Sequence, residues 1–140
     1  MPFLDAQSGV ITIAPEVCLE PHMPKSRLLA LLDELGGHAT QGDANGVLLF
    51  PPCPVLEGVL APICILEEER LCAVSFSVVE VGSKAIASAE LQRAFLCRCF
   101  AMKDPYPDTL KNSYIQCSFG SLMLCTEPHH GVASAFIEYQ

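Results

Sequence analysis

Eight cysteines and four histidines are the side chains of this chain best suited to metal binding or nucleophilic chemistry. The cysteines stand at Cys18, Cys53, Cys64, Cys72, Cys97, Cys99, Cys117 and Cys125. No two make a C-x-x-C pair, the knuckle that structural zinc normally uses, so no metal site is expected. Most replace an aliphatic residue inside an apolar run, as in Ile63-Cys64-Ile65 and Leu71-Cys72-Ala73. A free thiol packs as a small hydrophobe, which makes core packing the expectation. A cysteine nucleophile would need a histidine, an orienting amide and a loop-to-helix position that lowers the thiol pKa. None of the eight has that context. His129 and His130 are neighbours between Pro128 and Gly131, a turn-like setting in which they read as solvated. No Asp, Glu or His at ligand spacing accompanies this pair, and His22 and His38 are the other two histidines.

Phosphate chemistry is no better supported. Gly36, Gly37 and Gly42 are followed by no Lys-Ser/Thr, so no phosphate loop is present. Arg93 and Arg98 lie five residues apart on one helical segment and do not share a stripe, which leaves no clamp for a phosphate. Glu67, Glu68 and Glu69 form the dense acidic cluster, set between two strand-like runs. Charge on such a tip discourages edge-to-edge aggregation. It can equally present an acidic patch to a basic partner, where charge complementarity speeds association and sets register. No catalytic residue and no cofactor is assigned; binding is the expected activity.

The elements that carry these residues follow from periodicity. Residues 9–13 alternate as a short edge strand, which Pro15 interrupts before Val17-Cys18-Leu19. Pro24 opens a helix over about 24–36, with Leu28, Leu31, Leu32 and Leu35 on one face and Gly36-Gly37 closing it. Asp43, Ala44, Asn45 and Gly46 make a turn before a strand at 47–50, and Pro51-Pro52-Cys53-Pro54 reads as an extended link. The longest strand patterns are 59–66 and 71–81, joined by a charged hairpin turn at 67–70. In the second, Cys72, Val74, Phe76 and Val78 share one face, and Ala73, Ser75 and Ser77 the other. Ser88 caps a second helix over about 88–103, with Leu91, Phe95, Cys99 and Met102 on its apolar face and Asp104-Pro105 as its stop. Pro105, Tyr106, Pro107 and Asp108 form a loop. Strands at 114–125 and 132–139 flank a turn at 127–131, and Gly120 marks a bulge or a close backbone approach. The class is α+β, a mostly antiparallel β-sheet with the two helices.

At 140 residues the chain suits one domain, 1–140. It is 51% hydrophobic and 17% charged, which excludes disorder. No run reaches the roughly 18 apolar residues of a membrane span. The net charge of −8 argues against nucleic acid as a partner and for a basic one, or simply for solubility. Asp5 follows the first four residues at once, with no basic segment and apolar core of a secretion signal. A cytoplasmic location is therefore expected, and with it reduced thiols.

The pattern resembles a family of small bacterial immunity proteins associated with polymorphic toxins of the Rhs and type VI secretion kinds. Three stretches carry the likeness. Phe3-Leu4-Asp5 and Gly9-Val10-Ile11-Thr12-Ile13-Ala14-Pro15 lead through Leu19-Glu20-Pro21-His22-Met23 into Ser26-Arg27-Leu28-Leu29. The hairpin over 58–81 follows, its charged turn just before Arg70-Leu71. Last come Glu90-Leu91-Gln92, Tyr114-Ile115-Gln116-Cys117-Ser118-Phe119-Gly120-Ser121 and Ala135-Phe136-Ile137-Glu138-Tyr139. Relatives often carry Trp-Gly where Phe119-Gly120 stands, and this chain has no tryptophan. Pro24 occupies a slot where relatives usually place a capping threonine.

The resemblance implies an α+β immunity protein that binds a cognate toxin domain, one with a basic active-site cleft, and blocks its active site or substrate entrance. Exposed acids and loop residues would make the contact: Glu67, Glu68, Glu69, Asp104, Tyr106, Asp108 and Glu127. No nucleic acid, membrane or metal enters this reading, and a homodimer is compatible with it. The alternative is a secretion chaperone or adaptor that holds an effector segment; the terminal strand at 132–139, where such chaperones tend to end in a helix, counts against it.

Overall fold

The computed structural model describes residues 3–36, 38–39, 46–83, 87–106, 108–109 and 111–140. Ten strands and two helices follow in the order β1 (Ile11–Ala14), β2 (Val17–Leu19), α1 (Lys25–Leu35), β3 (His38–Ala39), β4 (Val47–Leu49), β5 (Cys53–Val55), β6 (Gly58–Glu67), β7 (Arg70–Val81), α2 (Ala89–Cys99), β8 (Ser113–Cys117), β9 (Gly120–Glu127) and β10 (Val132–Tyr139). Eight strands form one antiparallel sheet in the order β3-β4-β6-β7-β10-β9-β8, with β5 beside β6; β1 and β2 make a separate pair. The α+β class with a mostly antiparallel sheet holds.

The N-terminal stretch is a hairpin, not one interrupted edge strand. Ala14 pairs Val17, so Pro15 and Glu16 are the two turn residues, and Glu16 takes φ 63°. Proline's fixed φ suits the first turn position, and the turn reverses the chain where the sequence suggested a break. The proline-rich link at 51–54 likewise holds a strand. Cys53 and Val55 pair Leu60 and Gly58 on the edge of β6 already used by β4, and a missing proline N–H is tolerated there because that side ends the sheet.

Helix α1 starts one residue after Pro24, in the N-cap position, and ends at Gly36 (φ 74°), as its sequence requires. Gly37, the turn residues Asp43, Ala44 and Asn45, and Pro107 lie outside the described residues. Ser88 caps α2 through its side chain, which accepts from the Leu91 N–H. The helix stops at Cys99, short of residue 103. Ala101 takes φ 51°, its N–H donates to Arg98 O, and the Met102 N–H donates to Cys97 O at 3.0 Å. This is a Schellman ending with alanine where glycine is usual. The buried face of α2 is Ala89, Gln92, Arg93, Phe95, Leu96 and Cys99, whereas Leu91 points to solvent.

Residues 114–125 form two strands. The chain reverses at Ser118 and Phe119, and Cys117 pairs Gly120. Gly120 is a close backbone approach, as its position suggested. A Cβ there would lie 2.0 Å from the Glu138 carbonyl oxygen, at φ 151°. In β7 the alternation slips twice: Leu66 and Ile65 pair Leu71 and Ala73, leaving Cys72 as an extra residue, and Val79 is extra in the same way. The bulge at Cys72 brings Leu71 onto the same inward face as Val74 and Phe76, all three buried, while Ala73 pairs Ile65 and Glu138 on the other face, with Ser75 and Ser77.

One core joins the inner face of the large sheet to everything else. Phe3, Phe76 and Phe100 meet with ring centroids 5.3–5.4 Å apart, tying the N-terminus to β7 and the end of α2. Leu28 and Leu32 of α1, Ile11 and Ile13 of β1, and Phe95 and Leu96 of α2 join the same cluster. Both helices and the β1–β2 hairpin thus lie against one face of the sheet.

Candidate protein-binding surface

The seven residues expected to meet a partner divide between the two ends of the sheet. At one end Glu67 pairs Arg70 and closes a two-residue turn whose residues Glu68 and Glu69 take φ 52° and 62°. Such a turn matches the sheet's twist but favours Asn-Gly, because a Cβ in the left-handed region costs about 1 kcal/mol. Backbone bonds offset that strain. The Lys25 N–H donates to Glu69 O at 2.9 Å, and the Leu71 N–H to Met23 O at 2.9 Å. The Arg70 guanidinium donates to His22 O at 3.1 Å, and the His22 ring meets the Gln140 carbonyl. The tip is therefore fastened to the start of α1 with its carboxylates free: residues 67–70 are exposed, and Glu67, Glu68 and Glu69 enter none of the ion pairs among the described residues.

The other four residues stand at the opposite end, where Glu127 pairs Val132. From Arg70 to the level of Val79 is nine residues, about 30 Å of strand. Here sequence reasoning missed the main feature. Arg93 is 2% exposed, and its Nε and Nη2 donate to the two oxygens of Asp104 at 2.6 and 2.7 Å. Its remaining donors reach Ser113 Oγ at 2.8 Å and Thr126 Oγ1 at 3.1 Å. Asp104 also accepts from Ser113 Oγ and from the Tyr106 N–H. The Arg93 hydrogen bonds, foremost, hold its carboxyl below the usual carboxylate range. Asp104 thus departs from the expectation of an exposed acid, since only 13% of its side chain meets solvent and both oxygens are engaged. A signal existed in the sequence: Ala89, Arg93, Leu96 and Phe100 recur at i, i+4, i+7 and i+11, the spacing of a buried stripe.

Gln92 completes this anchorage, donating to the Ala87 and Gly131 carbonyls at 2.9 Å each and accepting from the Ala133 N–H at 2.9 Å. Tyr106, Asp108 and Glu127 remain exposed around it, and the Lys111 ammonium lies 5.8 Å from the Tyr106 ring centroid.

The thiols behave as packing groups. Burial pushes Cys53 up to about 11 and both Cys64 and Cys99 up to about 12, leaving them protonated at neutral pH and weak as nucleophiles. Cys18, Cys72, Cys97, Cys117 and Cys125 are half-buried. His22, His129 and His130 are exposed. Among the described residues no group of three His, Cys, Asp or Glu side chains could hold a metal ion, and no helix is long and apolar enough to cross a membrane. A cavity of about 600 Å³ between β1 and the end of α2 is lined mainly by Phe3, Ile13, Pro54, Val55 and Leu56. Arg98 at its wall is already paired with Glu57.

Sequence reasoning also overlooked the sheet's second face. Leu49 pairs Ile63, Ile63 pairs Ser75, Ser75 pairs Phe136, Phe136 pairs Met123 and Met123 pairs Tyr114. These six residues cross six strands in one row on the side away from both helices. Leu49 is 40% and Tyr114 61% exposed, and the four between them are half-buried. The alternations at 61–65 and 132–138 contained this row, but only the strand order assembles it. Compared with family models, curated proteins and solved structures, the chain matches none.

Proposed function

We propose that this chain is a cognate immunity protein that binds a secreted antibacterial toxin domain and blocks its active site or substrate entrance, working in the cytoplasm of the producing cell. The observation that supports this reading best is the open sheet face: an apolar row bordered by carboxylates that enter no ion pair among the described residues, with no helix of those residues laid over it. A surface of that composition suits a protein partner with basic groups. Occlusion needs stoichiometric contact and no turnover, and the buried side chains of Gln92, Arg93, Ser113 and Thr126 are engaged in holding α2 to the sheet.

Purification of tagged protein from its native cells, followed by co-expression with the domain that co-purifies, tests the proposal. One-to-one recovery of a toxic C-terminal domain and rescue of growth is the expected result. A recovered domain that still kills at saturating amounts of this protein would overturn it. The same open face also suits an effector-holding chaperone, and recovery of an intact effector bound away from its toxic domain would decide for that role.

A further inference from the structure

The apolar row has a direction, a length and a charged border. Five strand spacings of about 4.8 Å make it roughly 24 Å long, the length of about 16 helical residues. Ser75 is a notch between Ile63 and Phe136, where a large side chain can seat. Acids border the row on both sides. Glu138 and Glu67 stand toward the hairpin tip, and both lie close enough to Cys72 to raise its thiol pKa after burial has done so. Glu127 and Glu80 stand toward the other end, Glu127 acting likewise on Cys125. The Arg70 guanidinium, the one Lys or Arg group within the strands of this sheet, is turned to the His22 carbonyl.

We propose that this face docks an amphipathic helix of the partner, laid across the strands with its apolar stripe along the row from Leu49 to Tyr114 and Lys or Arg on both flanks. The inference rests on the protein-binding reading above and specifies its surface. Charge decides the occupant: a second copy would bring one acidic border against another, whereas a basic-flanked helix matches both sides at once. A helix about 10 Å across and 24 Å long covers roughly 240 Å² of this face, the strip along the row between its two acidic borders.

The test uses the full chain and an 18-residue Leu/Lys helix, with a Ser/Lys peptide of equal charge as its control. The Leu/Lys helix should bind at least tenfold more tightly than the control. Phe136→Ser should weaken it at least tenfold, and Tyr114→Ser, at an exposed position that leaves folding intact, at least threefold. Glu127→Lys with Glu138→Lys should weaken it tenfold at low salt and less at high salt, while Leu91→Ser on the far side of α2 leaves it unchanged. Equal binding of both peptides, or indifference to Phe136→Ser and Tyr114→Ser, would overturn the proposal. So would a homodimer in sedimentation that Tyr114→Ser dissociates, because the face would then belong to a second copy. Failure of this inference is separable from failure of the immunity reading: if wild type and face variants rescue growth equally the face is wrong, and if wild type fails to rescue the immunity reading is wrong.

Discussion

Asp104 and the run of Glu67, Glu68 and Glu69 are carboxylates on connecting segments at opposite ends of one sheet, and they have opposite fates. Asp104 follows a helix whose Arg93 points inward, so its charge is drawn into the wall of the core and held there by two guanidinium bonds. The glutamates cap a hairpin with no buried cation beneath them, so their charge faces water. A carboxylate in a loop is available to a partner only when nothing in the adjacent core needs it. One end of the molecule is fastened by charge; the other presents it.

The comparison breaks most sharply at Asp104. Asp104→Ala leaves the Arg93 guanidinium buried without a counter-ion and should cost about 3–5 kcal/mol of unfolding free energy. Arg93→Met should cost less, about 2 kcal/mol, because it fills the space and leaves a carboxylate at the edge of solvent that can rehydrate. Urea denaturation of both variants checks the order, and the reverse order would mean that Asp104, not Arg93, is the group trapped by burial. Acid adds a sign. The folded pKa of Asp104 is depressed, so its stabilisation is complete above the unfolded carboxylate value of about 4 and is lost as pH falls through the folded value. Wild type should lose this stability on acidification, and Asp104→Asn should lack that part of the pH dependence.

At the presenting end the strain is local. Glu69→Gly removes a Cβ from φ 62° while keeping the backbone bond that Glu69 O accepts from Lys25. It should raise stability by about 1 kcal/mol in thermal or urea unfolding, with the entropy of glycine in the unfolded chain as the opposing term. A loss instead would show that the Glu69 side chain holds the turn by contacts its exposure does not suggest.

Legibility in the sequence followed the range of the interaction. The two helices, the long hairpin, the Ser88 cap and the Gly36 ending depend on neighbours within a few residues, so their residue types announce them. The β1–β2 turn, β5 and the reversal at Ser118 and Phe119 were hidden because Pro15, Pro54 and Gly120 each have two readings, and only the paired strand decides between them. The Arg93–Asp104 anchor needed the helix phase and the loop path together. The row from Leu49 to Tyr114 needed the strand order, with β10 placed between β7 and β9 although β8 and β9 precede it in the chain. The acidic tip was visible, but its distance from Tyr106, Asp108 and Glu127 was not.

The smallest effect on stability belongs to the tip charges. Reversing Glu67, Glu68 and Glu69 to lysine together should leave unfolding free energy within about 0.5 kcal/mol, since exposed carboxylates outside any ion pair stabilise little. The same triple variant should slow association with the proposed toxin domain, because a border that would attract basic groups would then repel them. The slowing should shrink as ionic strength rises and the Debye length falls to about 8 Å and below. Dissociation should change far less than association for Glu68 and Glu69, which stand beyond the apolar row, and more for Glu67, which borders it. Stopped-flow kinetics on the three single variants separates these contributions. Equal effects on dissociation at all three positions would move the contact from the sheet face to the hairpin tip itself.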